Sequence, residues 1–225
     1  MRQASFIAAL VLLAGTCASI LPGCSSAMIA AKEYMGIPKR DQMVARVQDA
    51  RDSQNEAKQQ FASALEEFIA VTKVNGGELE TRYKSFSAKY DSCDASAKAV
   101  HARIGDVERV AAALFAEWQK EVGEYSSATM KAESQADLDH TKATYEKLLG
   151  SMKTAAGKME KPLSNFKDQV RYLKHKLNAR AIAGLEGTAR EISADVESLI
   201  KEMNASIDEA NQFISQMQVK VQECS

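Results

Sequence analysis

The sequence predicts an all-α protein, an elongated antiparallel bundle of four long coiled-coil-like helices. Three observations predict it. Apolar residues recur at alternating steps of three and four through most of the chain, the period of a helix face packed in a seam. Only three prolines and 6% aromatics stand among 225 residues, and the rest is rich in Ala, Glu, Lys, Ser and Gln. No stretch carries the period-two alternation of a strand.

The first segment, MRQASFIAALVLLAGTCASILPGC, has the order of a signal peptide. Arg2 supplies the positive start and Phe6 to Leu13 the apolar run, and small residues follow as far as Gly23. That run is too short for a comfortable membrane span. Leu21-Pro22-Gly23-Cys24 resembles the lipobox of bacterial lipoproteins. There a thiol takes a diacylglyceryl group, and the small residue before it lets a peptidase reach the bond. Pro22 departs from the small or aliphatic residue usual at its position. The expectation is a signal peptide over residues 1–23, cleavage before Cys24, and lipidation at Cys24, where two acyl chains give stable anchoring. An uncleaved membrane anchor and ordinary secretion with cleavage nearby are the competing readings. Ser25, by resemblance to enterobacterial sorting, points to the outer membrane.

Residues 24–40 show no sustained period and contain Gly36 and Pro38; they read as a tether with at most a short helical piece. The bundle is expected over residues 41–224, opening with Asp41 as an N-cap. The first long helix carries Met43, Val47, Ala50, Gln54, Ala57, Phe61, Ala64, Phe68 and Val71 on its seam and ends at Gly76-Gly77. The second carries Leu79, Tyr83, Phe86, Tyr90, Cys93, Ala97, Val100, Ile104, Val107, Ala111, Leu114 and Trp118. At about 1.5 Å per residue it is roughly 70 Å long. A polar turn at Tyr125-Ser126-Ser127 leads to the third helix, with Leu138, Thr141, Tyr145, Leu148, Met152, Ala155 and Met159. Pro162 interrupts that seam. It resumes, after two steps of four that act as a stutter, at Leu163, Phe166, Val170, Leu173 and Leu177. A turn near residues 178–183 leads to the fourth helix, with Leu185, Ala189, Ile192, Val196, Leu199, Met203, Ser206, Ala210, Phe213 and Met217.

Levelling the helices of such a bundle places Cys93 beside about residue 197, with Cys224 roughly 40 Å further along. A disulfide needs Cα atoms within about 7 Å, so the two are expected to remain unpaired within one chain. The same levelling gathers the lipidated end, the turn at Tyr125 and Cys224 toward one end of the rod.

The chemistry looked for is mostly missing. The net charge is −1, and loss of residues 1–23, which hold Arg2 and no acid, makes it one unit more negative. Nucleic acid calls for a concentrated basic surface, so it is not an expected partner. Gly150 to Gly157-Lys158 has the wrong spacing for a phosphate loop and puts Met159 where a hydroxyl is needed. His101, His140 and His175 follow Lys98, Asp137 and Tyr172 by three, so no helix carries the Glu-x-x-His of a bundle metal site. Arg171, Lys174, His175, Lys176 and Arg180 form one basic cluster, which suits the negative end of a helix and could also face an anionic partner. No catalytic residue, metal ligand, cofactor or small-molecule substrate is assigned.

The segments IPKRDQMVARVQDARDSQNEAKQQFASALEEF, ALFAEWQKEVGEYSS and FKDQVRYLKHKLNARAIAGL are similar to a bacterial family filed as a domain of unknown function. The resemblance covers roughly residues 30–215. It implies the same long helices and a lipoprotein or secreted address. Some members are labelled DNA repair ATPases, a role no phosphate-binding motif in this chain supports. The functional expectation is a non-enzymatic, lipid-anchored cell-envelope protein, at the outer membrane and facing the periplasm. It would act as a scaffold, spacer or adaptor that meets a protein partner or a second copy through its helical faces. A thiol-dependent envelope enzyme and a DNA-associated factor resembling chromosome-maintenance proteins are the alternatives.

Overall fold

The structure is a computed structural model that describes residues 23–74, 77–176, 178, 182 and 184–222. Its elements are α1 (Gly23–Tyr34), α2 (Lys39–Thr72), α3 (Leu79–Glu124), α4 (Ala128–Gly157), α5 (Glu160–His175) and α6 (Leu185–Gln222). No strand occurs among the described residues. Helix α2 packs on α3 and α6, and α4 packs on α3 and α6. Polar pairs fix the directions. Lys39 meets Glu117 at 2.8 Å, and Lys58 meets Asn204 at 3.0 Å. Further pairs join Lys147 to Glu209 and Lys161 to Asp195, each at 2.7 Å. Rising residue numbers in α2 therefore meet falling ones in α3 and in α6, which is the antiparallel up-down-up-down order.

The core is the predicted seam. All nine seam positions of α2 from Met43 to Val71 are buried, and so are all ten of α6 from Leu185 to Met217. In α3 the seam is buried from Leu79 to Leu114 except at Tyr83 and Tyr90, which are half-buried and reach toward its edge. Trp118, expected on the same stripe, is also only half-buried; its indole N–H donates to Ser134 Oγ at 3.0 Å, so the ring's polar edge lies toward α4. Toward the other end, Phe61, Phe68, Phe86 and Phe166 join α2, α3 and α5. Their ring centroids lie 5.1 Å apart for Phe68–Phe86 and 5.7 Å for Phe86–Phe166.

The third rod is two helices, so among the described residues the bundle has five helices where four were expected. Helix α4 stops at Gly157, and α5 starts at Glu160 with Pro162 in its first turn. A proline there loses nothing, because first-turn N–H groups have no helical partner. Between the two, Met159 N–H bonds the Ala156 carbonyl at 3.1 Å, a tightened turn that keeps the seam facing inward while the ladder breaks. The polar turn into α4 supplies a cap, with Ser127 Oγ accepting the Met130 N–H at 3.3 Å. Asp41 is not the N-cap of α2. Pro38 holds that position with φ −57° and ψ 151°, and Asp41 lies in the first turn, where a carboxylate favours the positive end of the helix.

Two polar seam members meet. Ser206 Oγ donates to Gln54 Oε1 at 2.9 Å, both side chains being fully buried, and Gln54 Nε2 has no hydrogen-bond partner. A half-satisfied amide in the core costs stability and resists any other alignment of α2 with α6.

Two measurements test this packing. Phe86→Ala should cost roughly 3–5 kcal/mol by denaturant titration, as for other fully buried phenylalanines; a loss below about 1 kcal/mol would place the ring outside the core. Ser206→Ala should cost about 1–3 kcal/mol because it orphans the rest of the Gln54 amide, and Gln54→Leu with Ser206→Ala should recover most of that loss.

Candidate functional site

The residues expected as a tether, 24–40, carry α1, and α1 is docked. Its core-facing side chain is Ile29, which is buried. Gln42, itself buried, reaches from α2 and donates its Nε2 to the carbonyls of Ile29 at 3.1 Å and Ile37 at 3.0 Å. Lys39 bridges Glu33 of α1 and Glu117 of α3. The hydrogen bond from Lys39 holds the Glu33 carboxyl below its usual range. Partial burial works against the Lys39 ammonium, but the two carboxylates outweigh it and its pKa rises.

The turn after α1 is a Schellman motif. Gly36 stands at φ +82°, its N–H bonds the Glu33 carbonyl at 2.8 Å, and the Ile37 N–H bonds the Lys32 carbonyl at 3.0 Å. A residue with a Cβ is strained at that φ. The motif reverses the chain, so α1 runs antiparallel to α2 along the flank formed by α2 and α3.

This reversal moves Cys24. The turn at Tyr125 and the final residues of α6 do gather at one end of the bundle, since Arg40 donates to the Met217 carbonyl there. Cys24 is the second residue of α1. At about 1.5 Å per residue it sits some 18 Å back from Gly36 along the flank, not at the tip.

The other expected positions are scattered. Cys93 is a buried free thiol in the α3 seam, and desolvation pushes it up to about 12. Cys224 lies outside the described residues. His101, His140 and His175 are exposed on three different helices. Gly150 and Gly157 lie within α4, their N–H groups committed to the helix ladder. Arg171, Lys174, His175 and Lys176 are exposed at the end of α5, where they complement the helix C-terminus, and Lys176 stands 5.4 Å from the Tyr172 ring centroid. Arg180 lies outside the described residues. Among the described residues no three His, Cys, Asp or Glu side chains converge as a metal site requires, and no helix is long and apolar enough to cross a membrane. The docking of α1 is what the sequence reading missed; the pairing of buried Gln42 with the chain before it leaves no periodic trace.

Cys93 yields a prediction. A thiol-specific reagent should leave it unmodified in the folded protein at neutral pH and react once denaturant unfolds the bundle. Cys93 lies at roughly the level of Leu199, and α6 runs on to Gln222, about 35 Å further. Non-reducing peptide mapping should therefore find no Cys93–Cys224 link within one chain. Such a link would break the topology described above.

No curated protein and no solved structure matches the chain. Residues 28–217, from within α1 nearly to the end of α6, match a family model described as protein of unknown function (DUF2959). With 190 of its 225 residues inside that match, the chain belongs to this family.

Proposed function

We propose that the chain is a non-enzymatic, lipid-anchored cell-envelope protein that acts as a helical scaffold, spacer or adaptor. It would be held at the outer membrane through acylated Cys24 and face the periplasm. The observation that carries this reading is the joining of two features. One continuous apolar seam makes the body an elongated rod with charged sides, and α1, docked on the flank of that rod, carries Cys24. The signal-peptide order of residues 1–23 supports export, and the polar outer faces of α2 to α6 offer long surfaces to a protein partner or a second copy. A thiol-dependent enzyme would draw on Cys93 or Cys224. With its pKa near 12, Cys93 holds almost no thiolate at neutral pH.

The test is made in cells. Wild-type protein should take up radiolabelled palmitate and fractionate with membranes at its processed size. Cys24→Ser should lose the label and either stay unprocessed or leave the membrane fraction. Unchanged processing and membrane association of Cys24→Ser would remove the lipid anchor. Crosslinking in intact cells then identifies what the helical faces touch.

A further inference from the structure

Helix α1 is amphipathic in the wrong sense for a helix in water. Four of the seven large apolar side chains that are exposed among the described residues lie between Met28 and Ile37. Met28 is 58% exposed, Tyr34 94%, Met35 68% and Ile37 41%. Ala27, Ala30 and Ala31 are exposed beside them. The charged residues of this stretch, Lys32 and Glu33, are half-buried toward the bundle, with Glu33 paired to Lys39. The outward row therefore carries no charge, while the inward side carries two. Water does not favour such an arrangement, because each exposed Å² of apolar surface forgoes about 25 cal/mol.

The helix is not free to roll over and bury that row. Gln42 grips the carbonyls of Ile29 and Ile37, Lys39 grips Glu33, and the Gly36 turn fixes where α1 ends. Half a turn of rotation would break these contacts and turn the buried Ile29 out into water. The polar clasps thus hold the apolar row outward, which marks it as a surface with an occupant.

The position of Cys24 selects the occupant. Stepping back four from Met28, or seven from Ala31, reaches Cys24, so the acylation position stands in register with the exposed row. A protein partner would account for the apolar row but not for a lipid attached in line with it.

We propose that α1 lies in the bilayer–water interface, its Met28–Ala31–Met35 row sunk into the headgroup–acyl boundary beside the lipid on Cys24, with Tyr34 at headgroup level. The inference rests on the lipid-anchor reading. Because α1 runs along the flank of α2 and α3, a bilayer that receives the row lies parallel to the bundle axis. The rod then rests along the membrane instead of standing out from it.

The test uses acylated protein extracted from membranes and reconstituted in phosphatidylethanolamine–phosphatidylglycerol vesicles. Met35→Trp is measured with acyl-brominated lipids, the wild-type Trp118 signal being the reference. Tryptophan at position 35 should be quenched well beyond that reference. Neutron reflectometry on a supported bilayer should give a protein layer about two helix diameters thick, some 20–25 Å, not the roughly 70 Å length of the longest helix. Met28→Glu with Met35→Glu, at exposed positions that leave the core intact, should keep the acyl group and membrane attachment but thicken the layer. An acylated protein with an unquenched position 35 and a layer near rod length overturns the proposal and leaves the lipid anchor standing. Disulfide-trapped α1–α1 pairs from Met35→Cys with an unquenched row would assign the row to a second copy and also overturn it. Absence of an acyl group by mass spectrometry overturns the lipid-anchor reading, and this inference with it.

Discussion

Removal of the α2 seam from water is the event on which the other contacts depend. From Met43 to Val71 that row is buried against α3 on one side and α6 on the other, with Phe61 and Phe68 reaching α5. Helices of this composition are marginal alone, because nucleating a turn costs more than its first hydrogen bonds return. Helix formation and packing are therefore one event here. The outer faces add little: pairs such as Lys84–Glu80 and Lys98–Asp94 are exposed i,i+4 contacts of the kind that contribute a few tenths of a kcal/mol.

A seam of this kind is stable but ambiguous. Ala50, Ala57 and Ala64 are seven residues apart, and a slide of one heptad would superpose small residue on small residue. The interleaved positions remove the ambiguity. Gln54, Phe61 and Phe68 follow the same spacing, so that slide would carry Gln54 into the phenylalanine cluster and separate it from Ser206. The buried amide thus acts less as a source of stability than as a penalty on wrong alignments. At the other end the Lys39 bridge between Glu33 and Glu117 sets where α1, α2 and α3 coincide.

The legibility of each element follows from whether its apolar residues face inward. The seams of α2 and α6 were plain because burial and period coincide at every position, Gln54 and Ser206 included. The α4–α5 break was half legible. Pro162 marked it, but Ala155, Met159 and Leu163 stay near the seam, so the pattern alone could not show that the ladder stops at Gly157. Trp118, Tyr83 and Tyr90 kept the period but sit half out of the core, because period records direction and not depth, and each carries a polar edge. Helix α1 was illegible for the opposite reason: among its described side chains Ile29 is the one buried apolar group, and Met28, Tyr34 and Met35 are exposed. Cys24 was readable as a candidate from the lipobox-like string that starts at Leu21. Its setting on the flank was not, since that depends on Gly36 reversing the chain and on Gln42 reaching back over 13 residues.

The partnership of α2 with α6 has a consequence in time. Helices α2 and α3 are neighbours in sequence and can pair as a hairpin as soon as both exist. Gln54 and Ser206 are 152 positions apart, so the other side of the α2 seam stays open until almost the whole chain has been made. Closing contacts this distant carries a larger loop entropy than pairing α2 with α3. Until α6 arrives, the growing chain presents a hairpin with one apolar side uncovered, the state in which such a protein is most exposed to aggregation and proteolysis.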